Sequence, residues 1–201
     1  MVDNAYTMIK EMKEYAKEFG VPIMHDEGID FLTTFVIKHQ ITNVLEIGTA
    51  IGFSAISMAL ANPKLKITTI ERDEERYLEA VKNIKKFNLE DRITLLFNDA
   101  ANVRLEEDFD LIFIDAAKGQ NKNFFEQFEK RLTPNGFIIT DNMKFHGYVD
   151  KDESEIKNRN LRGLVRKIKD YRKFLEENEN YNTRFYDDLG DGVAVSTKRA
   201  L

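Results

Sequence analysis

The sequence predicts an α/β protein whose strands form a parallel, doubly wound sheet. Five short runs of aliphatic and β-branched residues each end in an acid or amide followed by a turn: TNVLEIG, KITTIER, ITLLFND, FDLIFID and GFIITDN. Their apolar residues do not alternate strictly, which is typical of strands that are buried on both faces. Helical stretches separate the runs, and this alternation favours a parallel sheet covered by helices.

The helices are predicted from apolar residues at helical spacing. They cover residues 4–19, 27–39, 74–87, 121–132 and about 156–178. Gly20 ends the first helix, and Asp26 is a candidate N-cap of the second. After the last helix, two strand-like runs flank Gly190-Asp191-Gly192, which predicts a β-hairpin.

Length and composition limit the possible functions. The 201 residues, of which 42% are hydrophobic, fit one globular domain over residues 1–201. The absence of Cys excludes disulfides and thiolate chemistry and suits a cytoplasmic enzyme. No apolar run reaches the ~18 residues of a membrane helix, so no membrane partner is expected. The net charge of −5 argues against nucleic-acid binding by the whole surface, although a local basic face is compatible with it.

The segment VLEIGTAIGFSAISMA, residues 44–59, joins a buried strand to a helix through a turn with two glycines. Ligands of open α/β sheets bind beyond the carboxyl ends of the strands, where Gly48 and Gly52 let the backbone approach them. The spacing is not G-x-G-x-x-G, which disfavours a dinucleotide. Glu46 would repel phosphate and attract a cation, so S-adenosylmethionine, with its ammonium and sulfonium, is the expected ligand. The alternative is a tight turn beside a solvated acid.

Polar residues also end the next two strands. Glu71, at the end of the second strand, can accept hydrogen bonds from both hydroxyls of a ribose. Asn98, Asp99 and Ala100 follow the third strand and are candidates to hold an adenine amino group and to present a backbone N–H. These residues extend the predicted cofactor site, and solvated strand ends are the alternative.

Asp115 and the pair Asp141-Asn142 end the fourth and fifth strands. Because adjacent parallel strands lie ~4.8 Å apart, their ends can converge on one ion. Two carboxylates and an amide oxygen are hard ligands that suit Mg²⁺ or another hard divalent cation. Lys118 is a candidate base, since a neighbouring cation favours the neutral amine. Strand-end caps and a surface lysine are the alternatives.

Together these motifs resemble the cation-dependent class I O-methyltransferases, the family of the catechol and caffeoyl-CoA methyltransferases. The resemblance runs from about Pro22 to the C-terminus and includes E-x-G-x-x-x-G-x-S, the ribose acid, D-x-x-K and the Asp-Asn pair in order. It implies a Rossmann-like three-layer sandwich with a seven-stranded, mostly parallel sheet and an antiparallel last strand. It also implies S-adenosylmethionine, Mg²⁺ and a homodimer.

The resemblance also implies roles for individual residues. The implied cofactor contacts are Met24, Glu46, Gly48, Thr49, Ser54, Glu71, Asp99, Ala100 and Asp115. The implied metal ligands are Asp115, Asp141 and Asn142, and the implied catalytic residues are Lys118 and Asp115. The N-terminal helices, within residues 1–40, are expected to pack over the site, and the alternative for the helix of residues 4–19 is contact with a partner subunit.

The expected reaction needs a substrate with two neighbouring oxygens, such as a catechol or 5-hydroxyuridine. Residues 159–175 combine an apolar helical face with many Arg and Lys, which predicts either a solvated face or a surface for RNA phosphates. The segments DNMKFHGYV, LVRKIKDY and GDGVAVSTKR resemble the bacterial tRNA 5-hydroxyuridine methyltransferases. This resemblance implies the tRNA anticodon loop as partner and the wobble uridine as substrate. Small catechols or phenolics, and a non-catalytic binding protein, are the alternatives.

Overall fold

A computed structural model describes residues 2–199 of the chain, which divides into two compact units. The first unit is Met1–Val103 and the second is Arg104–Leu201. The predicted single domain over residues 1–201 includes Met1, Ala200 and Leu201, which lie outside the described residues, and it stays a prediction. Within residues 2–199, no helix combines the length and apolarity needed to cross a bilayer.

The first unit combines helices with a parallel group of strands in the order β3-β2-β1. Its elements are α1 (Val2–Phe19), α2 (Asp26–Lys38), β1 (Asn43–Ile47), α3 (Phe53–Ala61), β2 (Lys66–Glu71), α4 (Glu74–Lys86) and β3 (Ile93–Phe97). Residues Val44–Ile47 of β1 are all buried, as its continuous apolar run predicts. The register sets Glu46 of β1 opposite Thr69 of β2, and this pairing shapes the candidate site.

The second unit contains a parallel pair of strands and an antiparallel hairpin. Its elements are β4 (Phe109–Ile114), α5 (Asn121–Phe128), β5 (Leu132–Thr140), α6 (Arg159–Glu177), β6 (Tyr181–Tyr186) and β7 (Val193–Lys198). Strand β5 is parallel to β4, whereas β7 is antiparallel to both β5 and β6. The predicted α/β class with seven strands, the last of them antiparallel to its neighbours, is therefore confirmed.

Asp26 does not act as the predicted N-cap of α2. It is the first residue of the helix, and His25 occupies the cap position without a side-chain hydrogen bond. The Asp26 carboxylate instead pairs with Lys13 Nζ of α1 at 2.6 Å. An acid in the first turn still favours the helix, because it lies at the positive end of the helix dipole.

The ends of two other helices also differ from the prediction. Helix α5 stops at Phe128, and a 3-10 turn over Glu129–Arg131 leads into β5, so the predicted end at residue 132 is wrong. Helix α6 begins at Arg159 rather than near residue 156, because the Asn158 side chain accepts hydrogen bonds from the first free backbone amides of the helix.

An aromatic cluster joins α5 and α6 to the strands of the second unit. Phe125 makes edge contacts with Tyr171, Phe174 and Tyr181 at centroid distances of 5.0–6.4 Å. The fully buried Tyr171 hydroxyl lies 2.9 Å from Thr140 Oγ1 at the last residue of β5. This hydrogen bond fixes the point of the chain from which Asp141 and Asn142 project.

Candidate active site

The loop between β1 and α3 takes backbone conformations that favour glycine. Gly48 and Gly52 have φ angles of +100° and +87°, and Ala50 between them has +47°. The amides of Gly48 and Thr49 both donate to the Ile70 carbonyl of β2, at 3.0 and 3.3 Å. Gly52 is the N-cap of α3 and offers no side chain to its first turn. The free N–H groups of that turn remain available to a ligand.

Glu46 is fully buried at the end of β1, and hydroxyl groups satisfy its carboxylate. Ser54 Oγ donates to one carboxylate oxygen and Thr69 Oγ1 donates to the other, the latter at 2.5 Å. Thr69 Oγ1 also lies 2.6 Å from Thr49 Oγ1. Glu46 thus ties the loop to β2, since a buried carboxylate requires such donors. That Glu46, Ser54 and Thr49 contact the cofactor stays a prediction.

Three backbone amides hold the Glu71 carboxylate at the end of β2. Ala50 N donates to one oxygen at 2.8 Å, while Arg72 N and Asp73 N donate to the other at 2.9 Å. The structure therefore brings together Glu71 and the glycine-containing loop, as the sequence predicts. The carboxylate has a fixed orientation, which suits the acceptance of hydrogen bonds from a pair of donors such as the two hydroxyls of a ribose.

Asp99 follows β3 and is connected to the end of β2. Its Oδ1 accepts from Ala101 N at 2.9 Å, and its Oδ2 lies 3.3 Å from the Arg72 guanidinium. Ala100 is buried and begins a short 3-10 turn. Arg72 therefore links Asp99 to the end of β2, where it directly follows Glu71. The sequence reasoning did not single out Arg72.

Met24 lies in the segment before α2. It is buried, and its side chain packs over Gly28, where an added Cβ would come within 2.9 Å of the Met24 methyl carbon. Gly28 therefore makes room for Met24. That Met24 contacts the cofactor stays a prediction.

Asp115 and Lys118 form an ion pair just beyond β4 in the second unit. Lys118 Nζ donates to Asp115 Oδ1 at 2.7 Å, and the two side chains are 19% and 21% exposed. The Asp141 amide donates to the Ile114 carbonyl at 3.1 Å, so the ends of β4 and β5 are adjacent. The ends of the two strands thus meet at one edge, and the convergence of Asp115 and Asp141 on one ion stays a prediction.

Asp141 is 5% exposed, and its environment disfavours the charged form. Burial, and next the negative charge of Asp115, raise the pKa of Asp141 to about 7, although the Asn142 backbone amide and Lys118 act in the opposite direction. Asp191 adds further negative charge and raises the same pKa. The negative charge of the three carboxylates therefore exceeds the positive charge that Lys118 supplies, and this imbalance fits a bound cation.

The donor set is chemically suited to a hard ion, although it is not a complete cage of acids. Within residues 2–199, no group of three or more Asp, Glu, His or Cys side chains is arranged to hold a metal. Two carboxylates and the Asn142 amide are the available ligands, and Mg²⁺ commonly binds through one or two carboxylates and keeps several waters. The residues at this edge thus fit Mg²⁺.

Two further residues of the site, besides Arg72, were missed by the sequence reasoning. Asp191, in the turn before β7, is 8% exposed, accepts from the His146 amide at 2.5 Å and lies 3.5 Å from Asn142 Nδ2. Thr69 supplies a donor to Glu46. The sequence did contain a signal for each residue. Asp191 is an acid between two glycines, and Thr69 carries a hydroxyl inside an apolar strand, where a buried polar side chain needs a hydrogen-bond partner.

The fold and these two groups of polar residues define an α/β protein that carries a glycine-containing loop and several acids at the carboxyl ends of its strands. A family model described as O-methyltransferase matches residues 2–199. The chain belongs to the O-methyltransferase family.

Individual relatives agree with this assignment. A catechol O-methyltransferase of Niastella koreensis is 34% identical over 69% of this chain and 67% of its own. The crystal structure of a putative caffeoyl-CoA O-methyltransferase from Staphylococcus aureus is 33% identical, covers 99% of this chain and 100% of that chain, and has a TM-score of 0.89. An O-methyltransferase from Bacillus cereus, solved in complex with SAH, is 25% identical over 96% of this chain and 91% of that chain, with a TM-score of 0.82. The chain is an S-adenosylmethionine-dependent O-methyltransferase.

Proposed function

We propose that this enzyme transfers a methyl group to one of two neighbouring oxygens of its substrate in a Mg²⁺-dependent reaction. The observation that supports the ion is the unbalanced negative charge around Asp141, whose pKa is raised to about 7 by burial and by Asp115. Lys118 pairs with Asp115 at 2.7 Å. A divalent cation would stabilise both carboxylates in their charged form.

The first unit would bind the methyl donor. S-adenosylmethionine supplies an electrophilic methyl group on a sulfonium, whose positive charge is lost on transfer. Glu71, oriented by three backbone amides, accepts from the ribose hydroxyls, and Asp99 with Ala100 binds the adenine. The other proposed donor contacts are Met24, Glu46, Gly48, Thr49 and Ser54 of the first unit and Asp115 of the second.

The second unit would bind and activate the acceptor. Asp115, Asp141 and Asn142 would hold the ion, which would supply positive charge to a substrate oxyanion. Lys118 Nζ, in its unprotonated form, would take the proton of the substrate hydroxyl and become an ammonium. The O–C bond would form as the S–C bond breaks, with the electron pair of the S–C bond left on sulfur. Because Lys118 is one-fifth exposed, it can release that proton to solvent.

The preferred substrate is 5-hydroxyuridine at the wobble position of tRNA, which would become 5-methoxyuridine. Its 5-hydroxyl and 4-oxo groups are the two neighbouring oxygens that the reaction needs. A wobble base lies in a single-stranded loop, so it can enter a pocket at a small unstacking cost. Proximity of the reacting oxygen to the donor methyl would supply much of the rate enhancement.

Helix α6 supports an RNA partner, although part of its basic face is internally paired. Arg166 binds Glu153 at 2.5 Å, and Arg172 binds Asp187 at 2.8 Å. Arg159 and Lys167 of the same helix are exposed. Exposed cations of this kind bind phosphates of any sequence, and their contribution falls as salt rises.

Small catechols or other phenolics are the second candidate substrates. A relative named catechol O-methyltransferase is 34% identical to this chain, and a catechol presents the same pair of vicinal oxygens. The first unit would bind the methyl donor in the same way with either substrate. The two candidates therefore differ in the acceptor molecule and in whether the basic face of α6 binds RNA.

The deciding experiment measures transfer of a labelled methyl group to tRNA that contains 5-hydroxyuridine and to a panel of catechols. We expect transfer to the tRNA, loss of activity with EDTA and recovery with Mg²⁺. An Asp141→Ala variant should keep donor binding by calorimetry and lose transfer. Activity on catechols alone would replace the RNA substrate, and undiminished transfer in EDTA would remove the ion from the reaction.

The assembly and compartment complete the proposal. The family resemblance favours a homodimer, and light scattering of the purified protein would give twice the mass of the 23.4 kDa chain. The absence of Cys suits the reducing cytoplasm, where tRNA is available. A monomeric mass at micromolar concentration would contradict the dimer without affecting the chemistry.

A further inference from the structure

The turn Gly190–Gly192 binds the loop that follows β5, although the two segments are far apart in sequence. The Met143 amide donates to the Gly192 carbonyl at 2.9 Å, and the Lys144 amide donates to the Asp191 carbonyl at 2.8 Å. Gly192 has a φ of +83°, and a Cβ there would lie 3.0 Å from the Lys144 nitrogen. The close approach of these two segments therefore requires glycine at 192.

The Asp191 side chain contacts the same loop at two places. One carboxylate oxygen accepts from the His146 amide at 2.5 Å. The other lies 3.5 Å from Asn142 Nδ2 and 3.6 Å from His146 Nδ1. With 8% exposure, this carboxylate is largely shielded from water, which strengthens each contact. Asp191 thus connects the beginning and the end of segment 142–146.

The connected loop has an unusual backbone. Asn142, Phe145 and His146 have φ angles of +61°, +46° and +55°, and Gly147 follows with +75°. Left-handed conformations are unfavourable for Phe and His, which carry a Cβ, so surrounding contacts must hold them. The Asp191 carboxylate is placed to do this, because it accepts the amide hydrogen of His146 itself.

The contact with Asn142 also determines which end of its amide group faces Asp191. A carboxylate only accepts hydrogen bonds, so it selects the NH₂ group of Asn142 and leaves the amide oxygen free to point elsewhere. A cation binds the oxygen and is repelled by the NH₂ group. We propose that Asp191 is a positioning residue that orients Asn142 as an oxygen ligand and holds segment 142–146 in place. This inference rests on the proposed function in so far as it concerns the ion.

Titration with Mn²⁺, followed by electron paramagnetic resonance, tests the first half of the inference. We compare the wild type with Asp191→Asn, Asp191→Glu and Asp188→Asn. Asp188 is an exposed acid in the same connection between β6 and β7, so its variant matches the change of charge. Loss of a group that orients a metal ligand typically weakens affinity about 10- to 100-fold. We expect that loss for both Asp191 variants and wild-type affinity for Asp188→Asn.

The two Asp191 variants separate position from charge. Asp191→Glu keeps the charge but is one methylene longer, so wild-type Mn²⁺ affinity in this variant would overturn a positioning role. Unchanged affinity in Asp191→Asn would overturn it as well. Near-UV circular dichroism of each variant establishes that the fold is retained, so that a loss of affinity reports the site.

Amide hydrogen exchange at His146 tests the second half without any metal. The wild-type amide should exchange slowly, and Asp191→Asn should accelerate it at least about tenfold as the loop opens locally. If the wild type binds no Mn²⁺, the proposal of a bound ion is wrong. The exchange rate of the His146 amide then still decides whether Asp191 holds the loop. Equal exchange in the wild type and Asp191→Asn would overturn the inference.

Discussion

Thr69→Val removes a hydroxyl from the centre of the hydrogen-bond network around Glu46 and changes the shape of the side chain little. Thr69 Oγ1 lies 2.5 Å from one Glu46 oxygen and 2.6 Å from Thr49 Oγ1. Glu46 and Thr69 are 0% exposed and Thr49 is 1% exposed, so water does not readily replace the lost partner. The variant therefore leaves a buried carboxylate with fewer donors.

The size of the effect follows from the charge of the acceptor. A hydrogen bond to a charged group contributes about 1.5–3 kcal/mol, and a buried group that loses its partner bears the desolvation cost. We expect Thr69→Val to lower the free energy of unfolding by about 2 kcal/mol. For a chain of this length, that loss corresponds to a decrease in Tm of about 4–8 °C. The affinity for S-adenosylmethionine should fall as well, because the same contacts hold the loop after β1.

Urea unfolding followed by circular dichroism measures the stability, and titration calorimetry measures donor binding. Ser57→Ala is the matched control, since Ser57 Oγ donates only locally, to the Phe53 carbonyl one turn earlier in α3, at 2.7 Å. That variant should remain within about 0.5 kcal/mol of the wild type. If Thr69→Val is as stable as Ser57→Ala, the hydroxyl network does not support Glu46 and the reasoning is wrong.

Three further predictions concern other hydrogen bonds and ion pairs. Tyr171→Phe leaves the buried Thr140 hydroxyl without its aromatic partner and should cost about 1 kcal/mol, measured by urea unfolding. Arg172→Gln should cost less than about 1 kcal/mol at neutral pH. The hydrogen bond from Arg172 lowers the pKa of Asp187 below its ordinary value of 3.8. The ion pair therefore stabilises the fold above pH 3.8, and the free energies of unfolding of the wild type and Arg172→Gln should become equal as the pH falls further. Glu71→Gln should weaken S-adenosylmethionine binding by about tenfold in calorimetry, because an amide NH₂ would oppose backbone donors; unchanged affinity would remove Glu71 from the cofactor site.

The strand-end acids could be predicted because a parallel topology brings the carboxyl ends of strands to the same edge. Glu71 contacts the loop after β1, and Asp141 is adjacent to the end of β4, as that geometry requires. Both contacts depend on which segments are strands or helices and on their order along the chain, and the apolar runs of the sequence indicate both. The register of neighbouring strands is not visible in this way, so the pairing of Thr69 with Glu46 could not be predicted.

Long-range contacts also explain the other differences between sequence and structure. Asp191 reaches Asn142 because β7 pairs antiparallel with β5, with Ala194 opposite Thr140, a pairing that a glycine-containing turn does not specify. Part of the basic face of α6 is paired through such a contact, since Arg166 binds Glu153 in the preceding loop, and its use by RNA stays a prediction. Counting charges along a helix omits partners that come from other segments.

The two buried strand-end acids Glu46 and Asp141 illustrate how one residue type takes different roles. Glu46 receives two hydroxyl donors, from Ser54 and Thr69. Asp141 faces another carboxylate, and the compensation that it receives from a backbone amide and from Lys118 leaves its pKa raised to about 7. A buried acid that the protein satisfies by itself stabilises the fold, whereas one that it leaves short of positive charge favours a cation. The difference lies in the neighbours, and it assigns Glu46 to the organisation of the loop and Asp141 to the proposed ion.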